Sequence, residues 1–409
     1  MLSWLSADKK HYSNPMKHPV LTRHPCNAGA CKARIQLCDL ALVCLCTGDE
    51  GFAPAPSRMD MCLEYQAGAG QPWQTLQFFQ LGVLVPQGPF VQQLEVPLGV
   101  NVKDLRLRVL DWPVYYTLDL QKLAMSNQYG QNLKVDGAFQ NAVVISDIHG
   151  TDTTAAAQLL ATHMAHHLAL GFDQYMVYTR GPEVFEAIAG NPVTAGYMKA
   201  GLLQLITMES LQIPAYDDRR TDRTYAFHQS YDPMKLIAYN HAALTLWGER
   251  FHLAVLDPDE FWSSHGSHSR VDSWFDTCFP EVDLIKSTRV EVVCNNCRLN
   301  GGTEISFLQQ HWNESNPSDV LKYFNKVVTF SQDPKSIFWP DKVGQVWLHT
   351  PFLYHLPGSR VAAVSIDESQ AEVVHANNCV YVVHLYNLFN HRIPNDIPSV
   401  YNPLRWLGQ

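Results

Sequence analysis

Between residues 140 and 261, short apolar runs alternate with stretches of helical period, and this alternation constrains the fold more than any other feature of the chain. Ala142 to Ile145 reads as a buried strand, Thr153 to Leu170 as a long helix with an Ala-rich face, capped by Gly171, and Tyr175 to Tyr178 as the next strand. A helix over Glu183 to Ala189, a strand over Leu202 to Met208, a helix over Pro233 to Trp247 and a strand over Phe251 to Leu256 continue the series. Such alternation predicts an α/β fold, a mostly parallel sheet with flanking helices, whose ligands bind outside the carboxyl ends of the strands.

The flanks read differently. Residues 1–70 are rich in Pro, Cys, Gly and Ala without a sustained period, and predict an irregular leader carrying one short apolar strand. Residues 71–138 hold the run Leu76 to Val85 and the alternating Leu105, Leu107 and Val109, punctuated by Pro86, Gly88, Pro97, Gly99 and Pro113. That pattern predicts a small β-rich domain, with residues 139–409 forming the α/β domain behind it. Past Phe261 the pattern loosens into a Ser/His/Gly-rich loop, followed by strand-like runs at Val290 to Cys294, Val343 to Leu348, Val361 to Ile366 and Val380 to His384.

Charge narrows the partners. Against 39 acidic residues stand 30 basic ones, a formal charge of -9, so the chain as a whole lacks the basic field that would neutralise a nucleic-acid backbone. The apolar run Ile35 to Cys46 contains Asp39 and falls well short of the roughly 20 residues a membrane span needs, so neither a transmembrane helix nor a signal peptide is expected. Ten cysteines suit a few bridges rather than a disulfide scaffold, and the sequon Asn313-Glu314-Ser315 is of a kind that chance supplies.

Three motifs carry possible chemistry. Asp147-Ile148-His149-Gly150 ends a hydrophobic strand as the opening motif of metallophosphoesterases does, but the Gly-Asp and Gly-Asn-His segments that complete a dinuclear site are missing. Cys294-Asn295-Asn296-Cys297 has the spacing of half a zinc site without the other half, which favours a turn with free thiols or bridges elsewhere. Asp257-Pro258-Asp259 follows directly on the buried strand Phe251 to Leu256. Residues two apart on an extended chain point the same way, so two hard carboxylates converge past the strand's carboxyl end and suit Mg²⁺ or Mn²⁺.

In sequence order, the chain carries His166-His167-Leu168-Ala169-Leu170-Gly171-Phe172-Asp173, Gly201-Leu202-Leu203-Gln204-Leu205, Tyr239-Asn240 and Asp257-Pro258-Asp259-Glu260-Phe261. Lys335-Ser336-Ile337, Val346-Trp347-Leu348-His349 and Val383-His384-Leu385-Tyr386-Asn387 follow. Over roughly residues 140 to 392 this series resembles glycosyltransferase family 92, which includes galactan β-1,4-galactosyltransferases. The chain departs from the family pattern at His241-Ala242, where Asp-Cys is usual, and at Pro258. The resemblance implies a GT-A fold, a UDP-sugar donor with galactose as its sugar, a glycan acceptor, Mn²⁺ (or Mg²⁺) and inversion at the anomeric carbon. It implies Asp257, Asp259 and His384 as metal ligands, and Asp257, Asn240, Lys335 and His349 as contacts to the donor. Inversion requires a carboxylate base, for which Glu304 is the candidate. By position, the β-rich region resembles a carbohydrate-binding module, and a secretory member of the family would work in the Golgi lumen, with a cytoplasmic location as the other expectation. The alternatives are a metallophosphoesterase-like hydrolase built on Asp147 and His149, and a carbohydrate-binding protein that does no chemistry.

Overall fold

The computed structural model describes residues 21–23, 30–38, 58–66, 70–82, 89–97, 105–109, 115–118, 140–148, 152–207, 232–246, 249–264, 268–294, 304–343, 345–346, 351–352, 361–364 and 379–385. In chain order, the first seven strands are β1 (Leu21–Arg23), β2 (Ala30–Cys38), β3 (Arg58–Gln66), β4 (Trp73–Gly82), β5 (Pro89–Pro97), β6 (Leu105–Val109) and β7 (Tyr115–Leu118). Then come β8 (Gln140–Ile148), helix α1 (Thr153–Ala169), β9 (Gln174–Thr179), α2 (Pro182–Gly190), α3 (Pro192–Lys199), β10 (Leu203–Thr207), α4 (Asp232–Thr245), β11 (Phe251–Leu256) and β12 (Glu260–Ser264). After a helical turn over residues 271–278, the chain continues through β13 (Leu284–Cys294), α5 (Glu304–His311), β14 (Phe324–Phe338), β15 (Gln345–Val346), β16 (Pro351–Phe352), β17 (Val361–Val364) and β18 (Val380–Leu385). No helix among the described residues is long and apolar enough to cross a membrane.

The chain divides into two compact units. The first comprises Met1–Lys134, Glu209–Glu249 and Gly344–Trp347. Its described residues include two antiparallel sheets, in the orders β1-β2-β5 and β4-β3-β6-β7, with α4 packed on the first. Among the described residues of the stretch 1–70, β2 pairs with β5 along nine residues, and β3 lies between β4 and β6. In β2 the residues Cys31, Ala33, Ile35 and Leu37 alternate with Lys32, Arg34 and Gln36, a strand period masked by Pro- and Cys-rich flanks. The helix over 232–245 forms as expected, but its contacts place it in this unit rather than with the α/β domain.

The second unit is built on a nine-stranded sheet in the order β10-β9-β8-β11-β14-β13-β18-β12, with β17 beside the first half of β13. Strands β10, β9, β8 and β11 are mutually parallel, and β13 runs parallel to β17 and β18; β14 and β12 run antiparallel to their neighbours. The fold is therefore the α/β, mostly parallel sheet with flanking helices that the alternation predicts. Its core centres on Val143, Ile145, Leu160, Met164, Tyr175, Val177, Leu256, Trp262 and Trp274, all buried.

Helix α1 starts where Asp152 caps it, its Oδ1 accepting from the Ala155 N–H at 2.9 Å. It stops at Gly171, whose φ of +90° suits glycine and where a Cβ would lie 2.8 Å from the Arg270 guanidinium. Between these ends the helix buries three histidines against β12, the terminal strand of the sheet. The Nε2–H of His163 donates to the Glu260 carbonyl (2.7 Å), and the Nε2–H of His166 to the Trp262 carbonyl (2.7 Å). His167 accepts the Trp262 N–H on Nε2 (3.0 Å) while its Nδ1–H donates to the His163 carbonyl (2.9 Å). The imidazoles thus satisfy backbone groups that a further strand would otherwise pair.

Burial depresses the affinity of all three rings for a proton, pulling His163 down to about 3, His166 to about 4 and His167 well below its ordinary value. A proton on His167 Nε2 would set one N–H against another. Between about pH 6.5 and 3 the unfolded chain therefore binds more protons than the folded one, and stability falls as pH falls. The urea midpoint is expected to be lower at pH 5 than at pH 6.5; equal midpoints would contradict this assignment.

Candidate active site

Strand β11 is buried between β8 and β14 and delivers Asp257-Pro258-Asp259 at its carboxyl end. The turn closes on itself. The Asp257 N–H donates to Glu260 Oε2 (2.8 Å) and the Glu260 N–H to the Asp257 carbonyl (3.0 Å). A third bond, from the Leu385 N–H to the Asp259 carbonyl (2.9 Å), fastens the turn to the end of β18.

Register then lines up the charges. His384 on β18 stands opposite Glu260 on β12 and opposite Glu291 on β13, so the three form one row across the sheet and share a face. Arg289, two residues before Glu291 on the same strand, joins that face. From β14, Lys335 reaches in, its Nζ 2.8 Å from Glu260 Oε2 and 3.0 Å from Asp257 Oδ2.

These contacts make a circuit of alternating charge. It runs from Asp257 to Lys335, to Glu260, to Arg289 (2.8 Å), to Glu291 (3.7 Å), through a short contact to His384 Nδ1, and from His384 Nε2 to Asp259 (3.3 Å). Its two ends are the two aspartates of the turn. Glu260 is 0% and Lys335 1% exposed, whereas the side chains of Asp257, Asp259 and His384 are 18%, 16% and 12% exposed, so the circuit has a dry side and a wet one. Burial alone would raise the Glu260 pKa, but the Lys335 ammonium, helped by Arg289 and His384, wins against it and against Asp257, holding the carboxyl down to about 2. His384 goes the other way: burial opposes its charge, yet Asp259, Glu291 and Glu260 raise it to about 10. That stabilisation grows as pH falls from about 10 to 6.5 and is level below, so it opposes the acid lability set by the α1 histidines above pH 6.5 and not beneath it.

Four carboxylates face two permanent cations, which leaves an excess of two negative charges when His384 is neutral. The donor set fits a divalent ion such as Mn²⁺. Asp259 offers a hard oxygen and His384 Nε2 an imidazole nitrogen beside it, while the other ring nitrogen is held by Glu291, the arrangement that orients metal-bound histidines. Asp257 stands apart: its Oδ2 is turned to Lys335, and Asp257, Asp259 and His384 do not bring three ligand atoms within 4.8 Å of one another.

The remaining candidates divide. Lys335 is in the site, but as the buried partner of two carboxylates rather than a cation presented to phosphate. Asn240 lies on α4 in the first unit, where its amide donates to the Leu236 and Val346 carbonyls (2.8 Å each) and accepts the Val346 N–H (2.9 Å), a structural role. Glu304 is the first residue of α5; its side chain lies outside the described residues, as do His349, His149 and the side chain of Asp147. Cys294 is disulfide-bonded and so offers no thiolate to zinc, and Cys297 lies outside the described residues. Arg289 and Glu291 belong to no motif of the sequence, and Glu260 belongs to one only as the residue after Asp259. The available signal is two charges flanking Val290 directly before the apolar run Val292 to Cys294.

No protein-family description matches this sequence, and no curated protein does. Among solved structures, the chain is similar to an active-site mutant of LgtC (12% identity, TM-score 0.27) and to the galactosyltransferase LgtC in complex with donor and acceptor sugar analogs (14%, 0.26). In each case the likeness covers 60% of this chain and 87% of the other. Superposition that loose carries no weight on what this chain binds or does.

Removing one partner of a buried ion pair strands the others. Glu260→Gln should cost about 3–5 kcal/mol in a denaturant melt, whereas Asp259→Asn, on the wet side, should cost under about 1 kcal/mol. Equal effects would contradict the division into a dry and a wet side.

Proposed function

We propose that the chain is a metal-dependent glycosyltransferase of GT-A type, moving a sugar from a UDP-sugar donor to a glycan acceptor with inversion. By the family resemblance that sugar is galactose. One observation carries the reading: a carboxylate and an imidazole stand 3.3 Å apart at the carboxyl end of a buried strand, with a second carboxylate orienting the imidazole.

Asp259 and His384 would hold the ion, with Asp257 the third candidate on turning from Lys335. When bound, Mn²⁺ supplies a positive centre for the donor diphosphate and for the charge that grows on it as it leaves. The chain's own residues do the rest. Glu291 keeps the His384 ring aimed at Asp259. Lys335 and Glu260 hold the backbone of the turn, so Asp259 is presented without paying for reorganisation when the donor arrives. On the opposite side of the sugar, a carboxylate must take the acceptor hydroxyl proton, and Glu304 at the start of α5 is our candidate for that base. In this reading the antiparallel unit is the carbohydrate-binding part.

Two readouts test the proposal: Mn²⁺ binding followed by calorimetry, and UDP release from UDP-galactose. Asp259→Ala should abolish both while the fold survives. Glu291→Gln, which leaves the ligands in place but loosens the imidazole, should weaken Mn²⁺ binding 10- to 100-fold. Full turnover and unchanged Mn²⁺ affinity in Asp259→Ala would overturn the assignment.

A further inference from the structure

Within the second unit, Cys278 ends the helical turn over 271–278, and Cys379 immediately precedes β18. The two are joined in a disulfide with a Cα–Cα distance of 6.1 Å, closing a separation of 101 residues. His268 lies beside the bridge. An imidazole nitrogen of His268 and the sulfurs of Cys278 and Cys379 all lie within 4.8 Å of one another, the one group of three among the described residues that converges so closely. All three residues are half-buried, within reach of solvent.

The support around this cluster is firm. The Trp274 indole N–H donates to the His268 carbonyl (2.8 Å), and Trp274 is itself buried against Trp262 and Phe172. The Phe279 N–H returns to the Trp274 carbonyl (2.9 Å), fixing the backbone next to Cys278, while Val380 and the strand it starts are buried beside Cys379. The His268 ring makes no hydrogen bond or ion pair among the described residues, so structural satisfaction does not account for its position.

We propose that reduction of this bridge opens a second metal site, at which Zn²⁺ binds to His268, Cys278 and Cys379. Two thiolates and an imidazole are a soft, nitrogen-containing set suited to zinc and unlike the Asp259/His384 pair. Zinc–sulfur bonds of about 2.3 Å in a tetrahedron place ligand atoms under about 4 Å apart, so three atoms already within 4.8 Å need only small adjustments. The fourth position is left to water. In the redox step a dithiol reductant gives two electrons and two protons, becoming a disulfide as the Cys278–Cys379 bond breaks to two thiols. Zinc binding then releases those two protons to solvent. Either link, disulfide or zinc, ties the start of β18 to the helical turn, five residues before His384.

The inference stands independently of the glycosyltransferase reading, and its test uses metal alone. Full-length protein is titrated with Zn²⁺ against a chromophoric chelator before and after reduction with a phosphine, and the reduced form is also titrated with Co²⁺. Reduction should create one additional tight zinc equivalent per chain, and Co²⁺ should give thiolate charge-transfer absorption with tetrahedral d–d bands. Both should be lost in Cys379→Ser, and zinc should bind at least tenfold more weakly to reduced His268→Ala. Because other cysteines are also reduced, the decisive comparison is reduced wild type against reduced His268→Ala, a variant that removes a ring with no structural partner. Zinc should also raise the melting temperature of the former and not the latter. Equal zinc affinity in those two proteins, or equal affinity in oxidised and reduced wild type, would overturn the proposal.

Discussion

Glu260 sits without access to water at the first position of β12, and a carboxylate so placed is tolerable only where fixed opposite charge and hydrogen bonds replace its hydration. Lys335 and Arg289 supply the charge, and the Asp257 N–H supplies a hydrogen bond. Each partner comes from a different part of the chain: the turn after β11, the middle of β13 and the far end of β14. Satisfying one buried carboxylate therefore sets the mutual register of strands that are distant in sequence. The aspartates of the turn inherit that rigidity.

The same strand needs support on its other edge, which α1 provides. His163, His166 and His167 recur at the spacing of one helix face, and their ring nitrogens meet the carbonyls and N–H that β12 leaves unpaired. A helix normally covers a sheet with apolar side chains. Here part of its face is polar and wholly buried, which exchanges hydrophobic gain for backbone satisfaction and makes the arrangement sensitive to acid. Phe261, packed against all three rings, keeps water from that edge.

Much of the second unit was legible because its local signals agree with its tertiary context. The strand over 251–256 and the helices over 153–169 and 182–190 fall within a residue or two of their periodic patterns. So does Gly171 at the end of α1, where a positive φ is required. Legibility failed where pairing rather than period decides. Strand β14 runs over 324–338 through Asp333 and Pro334, and no alternation announces it. In the first unit β2 and β3 were hidden by composition. At the site, Asp257, Asp259 and His384 could be named from residue type and family resemblance. Glu291 could not, because its role exists only once β13 and β18 lie side by side in one register. The buried partners of Lys335 are likewise illegible, since nothing local to Lys335-Ser336-Ile337 reveals that a buried carboxylate awaits it.

The central claim is that the charge circuit holds Asp259 and His384 ready for a divalent cation. Anomalous diffraction from crystals grown with Mn²⁺ and UDP tests this most directly, because it locates the ion without reference to activity. The account predicts one strong manganese peak within bonding distance of an Asp259 carboxylate oxygen and of His384 Nε2, with Glu291 still on Nδ1. A peak elsewhere in the chain, or His384 still paired with Asp259 and no manganese between them at saturating metal, would contradict it.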